Sequence, residues 1–177
     1  MILKIRVDDL LRTTLATPSR DLVTRTTGAA IRLRIERAIA DAPCPTTLLD
    51  FQEVGVLDFS CADEVVAKLL LLIEDEHYVV LHGVDETQAE AIDHVLSHQD
   101  LAIAIVPRAG GRQVLGRSTP DLLAAFEAVH AFGSGSPDRL ADRLGWSVER
   151  TADALQTLAL RRLILAANGT FSPLPLQ

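Results

Sequence analysis

The amino-acid sequence predicts an α/β domain built on a parallel or mixed sheet, followed by a smaller α+β domain. Strand-like and helix-like segments alternate with short connections up to about residue 106, as expected for a sheet with parallel strands. A glycine- and arginine-rich stretch at 107–119 then interrupts the pattern. Three helical segments and a hairpin follow it. The predicted domains are therefore 1–107 and 119–177, joined by a linker at 108–118.

The first domain is predicted to contain four strands and three helices. The strands are identified by alternating or continuous apolar runs, and the helices by apolar residues at helical spacing. The strands are predicted at 2–7, 46–51, 77–84 and 101–106, and the helices at about 19–42, 60–76 and 85–99. The middle helix is apolar over most of its circumference, so we expect it to be buried. Thr87 and Glu90 are expected to form a capping box in the last helix, and a short extra strand near 13–18 stays open.

The second domain is predicted to contain three helices and a hairpin. The helices are predicted at 119–132, within 133–146 and at 147–163, and the hairpin at 164–174 with an Asn168-Gly169 turn. This order, with a three-residue turn before the third helix, is typical of a winged helix-turn-helix. In the third helix the residues expected to face the core are Val148, Ala152, Leu155 and Leu158. Those expected to face outward are Glu149, Arg150, Asp153, Gln156 and Thr157.

Composition and charge exclude several classes of protein. Hydrophobic residues make up 48% and aromatic residues 4% of the 177 positions, so we expect an aliphatic core. The longest apolar run, at 65–73, is far shorter than the about 20 residues that span a bilayer, and the charged N-terminus is unlike a secretory signal. We therefore expect a cytoplasmic protein without a membrane partner. Residues 1–107 carry a net charge of −9, which argues against nonspecific binding to nucleic acid or anionic membranes.

The sequence shows no pattern typical of a catalytic, metal or cofactor site. Cys44 and Cys61 are expected to be free thiols in a reducing cytosol. His94 and His98 have a spacing compatible with metal binding, but no third ligand accompanies them, so a solvated helix face is the preferred interpretation. A nucleophile elbow, a phosphate loop and a dinucleotide fingerprint are all absent from the sequence. We therefore expect no cofactor, no metal and no enzymatic activity.

The tripeptide Leu-Asp-Phe occurs twice within 49–59. Asp50 ends a predicted buried strand, where partners of α/β sheets usually bind. Asp58 lies just before the next helix, for which Ser60 is the expected N-cap and Asp63 the residue that completes a capping box. Both copies therefore place an acidic side chain at the same rim of the sheet.

The segment LLDFQEVGVLDFSCADEVVAKLL at 48–70 resembles the signature of STAS domains, the fold of bacterial anti-sigma factor antagonists. That signature has an apolar strand ending in Asp, a Val four residues later, then an apolar residue, Asp, two Ser and a helix. The residues that fall on it are Asp50, Val54, Leu57, Asp58 and Ser60. The chain departs from the signature at Phe59, where the first Ser is expected, and at Cys61, where a Gly is expected.

A divergent STAS-like group resembles the chain more closely over the helix start. Its version of the motif reads S-x-A-D-E, which is matched by Ser60, Ala62, Asp63 and Glu64. Two residues of the first long helix, Arg25 and Gly28, also resemble this group. The resemblance covers about residues 1–106 and implies a STAS-like fold for the first domain.

The resemblance implies a bacterial signal-transduction protein that regulates transcription by binding a protein partner. In the family the second Ser is phosphorylated by a partner kinase, and by position this residue is Ser60. The implied partner is a histidine-kinase-type ATPase that acts as an anti-sigma or switch kinase. The expected partner-binding residues are Asp50, Asp58, Cys61, Asp63 and Glu64. A phosphate adds about −1.5 to −2 charge, which would switch binding at an already acidic rim.

Each of these residues also has a purely structural interpretation. Ser60 would then be a helix cap and nothing more. Asp63 and Glu64 would be first-turn acids favoured by the helix dipole. Asp50 would be a turn residue at a strand end, and Cys61 a small packed side chain rather than a reactive thiol.

The winged helix leaves DNA binding open as an alternative function, with the first domain as sensor or dimeriser. The basic residues available for phosphate contacts are Arg139, Arg143, Arg150, Arg161 and Arg162. Residues 119–177 nevertheless carry a net charge of −1, and the hairpin turn has no basic residue, whereas DNA binding needs positive charge. Winged helices also bind proteins or form homodimers, so the fold does not decide between these functions.

Overall fold

The computed structural model describes all 177 residues and divides them into two units. The first unit comprises Met1–Arg117 with Leu176–Gln177, and the second comprises Ser118–Pro175. The fold is mixed α/β, which confirms the predicted class at that level. No helix in the chain has the length and apolar character needed to cross a bilayer.

A five-stranded sheet forms the centre of the first unit. Its strands are β1 (Leu3–Arg6), β2 (Thr46–Asp50), β3 (Tyr78–Val84), β4 (Ala102–Pro107) and β5 (Gln113–Gly116). They lie side by side in chain order. The first four pair in parallel, as predicted, and β5 pairs antiparallel with β4.

Helices connect the parallel strands. They are α1 (Val7–Thr14), α2 (Arg25–Asp41), α3 (Phe59–Ala62), α4 (Leu69–Leu72) and α5 (Glu86–His98), and the π-helical turns Asp63–Lys68 join α3 directly to α4. When parallel strands that follow one another in the chain are also neighbours in the sheet, right-handed crossovers place all the connecting helices on one face of the sheet. The core agrees with this geometry, because the buried row Ile5, Leu49, Leu81 and Ile105 runs across four strands and belongs to one cluster with helical residues.

The chain between β1 and α2 differs from the prediction. Val7–Thr14 is helical, the strand left open near 13–18 does not form, and α2 begins at Arg25 instead of near Ser19. The residues between the two helices are held extended by the loop before α3: the Leu22 N–H donates to the Val56 carbonyl at 2.8 Å, and the Asp58 N–H donates to the Leu22 carbonyl at 3.0 Å. This nonlocal pairing delays the start of the helix.

Two further details correct the sequence interpretation of the first unit. The segment predicted as a linker contains β5, whose Leu115 is buried in the core opposite Ile103. The capping box of α5 is formed by Asp85 and Gln88, since the Asp85 carboxylate accepts from the Gln88 N–H at 2.8 Å and the Gln88 amide oxygen accepts from the Asp85 N–H at 3.0 Å. Thr87 and Glu90 lie inside the helix and do not form it.

The second unit contains three helices and a hairpin at the predicted places. These elements are α6 (Pro120–Phe132), α7 (Pro137–Leu144), α8 (Val148–Leu160), β6 (Ile164–Ala167) and β7 (Thr170–Pro173). Asn168 and Gly169 have φ of 52° and 75°, as a tight two-residue hairpin turn requires. They connect the antiparallel strands β6 and β7.

The buried face of α8 is rotated relative to the prediction. Leu155 and Leu158 are buried as expected, but Val148 is 47% exposed and Thr151 is fully buried. The Thr151 hydroxyl donates to the Ser147 carbonyl at 2.9 Å, so its polar group is satisfied inside the unit. Ala154 takes the inner position expected for Ala152, which is only half-buried.

Candidate functional site

Asp58 organises the junction between α2 and α3. It is the N-cap of α3, where its Oδ1 accepts from the Cys61 N–H at 2.7 Å, and its Oδ2 accepts from the Thr24 N–H at 2.9 Å. Burial opposes ionisation of this carboxyl, but these two backbone donors and the Ser60 hydroxyl outweigh it and lower the pKa of Asp58. One carboxylate therefore closes the start of α3 and fixes the residue that precedes α2.

Ser60 is the second residue of α3 and is not its cap. Its hydroxyl donates to Asp58 Oδ1 at 2.8 Å, and its side chain is half-buried. The predicted capping box of Ser60 with Asp63 is therefore wrong, because Asp58, two residues earlier, is the N-cap. The Ser60 hydroxyl nevertheless stays partly accessible to solvent, at the wall of a surface groove.

The groove beside Ser60 has a volume of about 430 Å³. Its other lining residues include Arg25, Phe59, His94 and His98. The Phe59 ring is 59% exposed and lies 4.9 Å from the His94 ring, centroid to centroid. The sequence singles out Phe59 as the residue that replaces a Ser of the STAS signature. That its ring is exposed beside Ser60 could not be predicted without the fold.

Glu64 is buried at the centre of a cationic cluster. It accepts hydrogen bonds from Arg25 Nη1 at 2.9 Å, Arg32 Nε at 3.2 Å and Lys68 Nζ at 2.5 Å. Its side chain is only 3% exposed, so the prediction that Glu64 contacts a partner is contradicted. The interpretation of Glu64 as a first-turn acid stabilised by the helix dipole also does not fit, since Arg25 and Arg32 belong to α2 and Lys68 lies one helical turn after Glu64.

Asp63 shares Arg25 with Glu64. It accepts from Arg25 Nη1 at 2.7 Å and from Gln99 Nε2 at 2.7 Å. Burial opposes its ionisation, but the hydrogen bonds from Arg25 and Gln99 lower the pKa of Asp63. Asp63 and Glu64 thus pair with three cations, Arg25, Arg32 and Lys68, so the surface near Ser60 is not the acidic ledge that the sequence suggests.

Cys61 is a packed side chain and is not available to a partner. It is fully buried, and its thiol donates to the Thr24 carbonyl at 3.0 Å. Burial and the neighbouring Asp58 carboxylate raise the pKa of the Cys61 thiol to about 12. Gly28 makes this packing possible, because a Cβ there would lie 3.1 Å from both the Cα and the Sγ of Cys61.

Asp50 lies apart from the cluster around Ser60. Its Oδ1 is 3.2 Å from Nδ1 of His82, the residue beside it on β3, and also accepts from the Gln52 N–H at 2.9 Å. These contacts support the interpretation of Asp50 as a strand-end residue that shapes the following turn. The two Leu-Asp-Phe copies therefore differ, since Asp58 holds two helices together and Asp50 holds a turn.

The arginines of the second unit do not form a basic surface. Arg150 donates to both carboxylate oxygens of Asp121, at 2.9 and 2.7 Å, and its guanidinium lies 4.0 Å from the centre of the Trp146 ring. It shares a groove of about 570 Å³ with Arg161, and that groove is also lined by Asp121, Glu149 and Asp153.

The remaining arginines are dispersed. Arg143 stacks over the Phe132 ring at 4.5 Å, and Arg139 is exposed on α7. Arg161 and Arg162 are half-buried just after α8. Of the five predicted phosphate contacts, only Arg150 and Arg161 meet in one groove, and carboxylates outnumber them there.

Comparison with models of known protein families found no match, and comparison with curated proteins found none. The resemblance of residues 48–70 to STAS domains therefore stays a prediction.

Proposed function

We propose that the chain is a bacterial regulatory protein that binds a protein partner through a STAS-like first unit and is switched by phosphorylation of Ser60. The observation that carries the proposal is the hydrogen bond from the partly exposed Ser60 hydroxyl to Asp58. Asp58 holds the start of α3 and the Thr24 backbone in place. A modification of this one hydroxyl therefore acts on the residue that connects two helices.

The proposed switch is electrostatic. Transfer of the γ-phosphoryl group of ATP to Ser60 Oγ releases ADP and the hydroxyl proton, so Oγ can no longer donate to Asp58. The added charge of about −1.5 to −2 then faces an ionised carboxylate, and two like charges at 4 Å near a protein surface repel by about 4 kcal/mol. Arg25 lines the same groove, so it is the cation expected to pair with the phosphate. We expect Asp58 to leave the N-cap and the 22–24 segment to move.

The surface around the switch also offers apolar contacts. Phe59 and Val56 are exposed, and Val23 lies next to Thr24, whose N–H binds Asp58. Large exposed apolar side chains around a polar centre are typical of a protein-binding surface. The proposed partner is a histidine-kinase-type ATPase of the anti-sigma kinase type, which would both dock here and phosphorylate Ser60.

Ser60→Asp is expected to weaken binding of this ATPase by about tenfold or more, because it places a second carboxylate against Asp58 and changes the docking surface. Wild-type protein incubated with an ATPase encoded beside it and ATP should gain one phosphate on Ser60. Mass spectrometry locates the phosphate, and titration calorimetry measures the affinity.

Ser97→Asp is the matched control, since Ser97 is also half-buried and lies on α5. It should bind the ATPase like the wild type. A phosphate found elsewhere, together with equal binding by Ser60→Asp and the wild type, would refute the proposed switch.

The second unit is proposed to be a winged helix that relays the signal through protein contacts. The alternative, a transcription regulator that binds DNA through this unit, is not favoured because Arg150 is held by Asp121 and Trp146 and the groove beside it is acidic.

We expect the full chain to show no salt-dependent binding to a mixed-sequence DNA duplex, measured by fluorescence anisotropy. Arg150→Glu should then change nothing. Retention that weakens with salt and disappears in Arg150→Glu, but not in Glu149→Gln, would restore the DNA-binding alternative.

A further inference from the structure

A second groove of the first unit lies between the end of α2 and the end of α4. Its volume is about 730 Å³. It is lined mainly by apolar side chains from these two helix ends and from the connection before β2, among them Ile39, Pro43, Leu72 and Ile73. None of the residues around Ser60 lines it, so it is a different surface from the proposed switch.

Two exposed leucines lie at the end of α4, and one of them, Leu72, lines the groove. Leu71 and Leu72, the last two residues of α4, are 59% and 62% exposed. Two adjacent leucines left in water at a helix end forgo the stabilisation of burial, about 1.5–3 kcal/mol for each side chain. An exposed apolar pair next to an apolar groove is typical of a binding surface.

The charged side chains that line the groove are acidic. They are Glu36, Glu74 and Glu76, of which Glu36 is paired with Arg32 at 2.6 Å, so Glu74 and Glu76 form the acidic rim. Asp75 adds a further exposed acid between the last two. An apolar floor with an acidic rim is complementary to a ligand that is apolar on one side and positively charged on the other.

This charge pattern argues against three other occupants. A second copy bound through a two-fold axis would bring the two acidic rims together. An anionic lipid surface and a nucleic acid would be repelled in the same way. We propose that the groove binds a basic amphipathic helix of a partner protein, with apolar side chains beside Leu72 and Ile73 and with Lys or Arg reaching Glu74 and Glu76.

Cys44 provides a reporter for occupancy. It lines the groove and is half-buried, whereas Cys61 is fully buried with its pKa raised to about 12. N-ethylmaleimide should therefore modify Cys44 and leave Cys61 unmodified in the folded protein. A synthetic helical peptide of leucine and lysine, amphipathic in design, is expected to slow modification of Cys44 at least about tenfold when it saturates the groove. The same peptide with glutamate in place of lysine should not protect Cys44.

Variants distinguish groove binding from general attraction between opposite charges. Leu72→Ser is expected to weaken binding of the basic peptide by about tenfold, the loss expected for one buried leucine. Leu160→Ser, which removes an exposed leucine of the second unit, should bind like the wild type. The paired change Glu74→Lys and Glu76→Lys should abolish binding, while Glu90→Lys on α5 should keep it except for a small loss from the changed net charge.

Several results would overturn the proposal. The peptide would bind elsewhere if it bound without slowing the modification of Cys44, or if Leu72→Ser and the wild type bound it with equal affinity. A dimer in sedimentation that Leu72→Ser dissociates would assign the groove to a second copy. Cosedimentation with phosphatidylserine vesicles lost in Leu72→Ser would assign it to a membrane surface. Ser60→Asp should leave peptide binding unchanged, so failure of this proposal is independent of the proposed switch.

Discussion

Glu64→Gln is expected to lower the free energy of unfolding by about 3 kcal/mol, because it removes the buried carboxylate that three cations share. The carboxylate accepts from Arg25, Arg32 and Lys68, and glutamine offers them a single neutral oxygen. Arg25 and Lys68 can turn to solvent, but the Arg32 side chain is mostly buried and keeps Glu36 as its other partner. The expected loss is therefore at the lower end of that for a broken buried ion pair.

Urea denaturation followed by circular dichroism measures this loss. Glu90→Gln is the matched control, since Glu90 is exposed on α5, and it should change the stability by less than about 0.5 kcal/mol. A similar small change for Glu64→Gln would show that the cations gain as much from hydration as they lose in contacts.

The pH dependence of stability tests the same cluster independently. Burial opposes ionisation of Glu64, but the hydrogen bonds from Lys68, Arg25 and Arg32 outweigh it and lower the pKa from 4.5 to about 2. A carboxyl with a lowered pKa in the folded state stabilises fully above its unfolded pKa and loses this contribution as the pH falls through the folded value. The difference in stability between the wild type and Glu64→Gln should therefore be constant near neutral pH and shrink from about pH 4.5 towards pH 2.

The sequence contains the members of this cluster but not their pairing. Arg25 and Gly28 can be singled out by resemblance, and Asp63 and Glu64 by their position at a helix start. What joins Arg25 to Glu64, nearly forty residues later, is the close contact of α2 with the helix after Asp58, for which Gly28 leaves room. Contacts of this kind follow from tertiary packing, and local patterns do not report them.

The cap of α3 shows a different reason for an error. Both Asp58 and Ser60 are favoured N-cap residues, and Ser60 has an acid three residues on, as a capping box needs. The structure selects Asp58 because its second oxygen also binds the Thr24 N–H. A side chain that satisfies donors from two elements is worth more than a cap that satisfies one, and this gain is invisible before the fold is known.

The strongly periodic segments and the hairpin turn were predictable from the sequence, whereas the short strand β5 was not. The three predicted helices of the second unit and the Asn168-Gly169 turn all appear, because periodicity and turn chemistry act locally there. The four-residue strand β5 carries only Val114 and Leu115 between glycines and arginines, so its composition resembles a linker. Its place in the sheet comes from pairing with β4.

Gly116→Ala is expected to lower the free energy of unfolding by about 3 kcal/mol, because strain and overlap act together at the end of β5. Gly116 has a φ of +97°, where a side chain is strained. A Cβ there would overlap the Leu101 carbonyl oxygen and lie 2.8 Å from Leu96 Cβ. The Leu101 carbonyl cannot retreat freely, since it accepts from the Arg117 N–H at 2.8 Å.

Gly111→Ala separates strain from overlap. Gly111 has a φ of +78° with no atom within 4 Å of its Cβ position, so this variant should lose only about 1 kcal/mol, the cost of the backbone conformation. Urea denaturation compares the two. Equal losses would mean that residues 113–116 detach from β4 at little cost and behave as a linker. A larger loss for Gly116→Ala means that β5 is part of the sheet that carries α3 and Ser60. The added methyl group then forces β5 away from Leu101, and this displacement destabilises the whole folded unit.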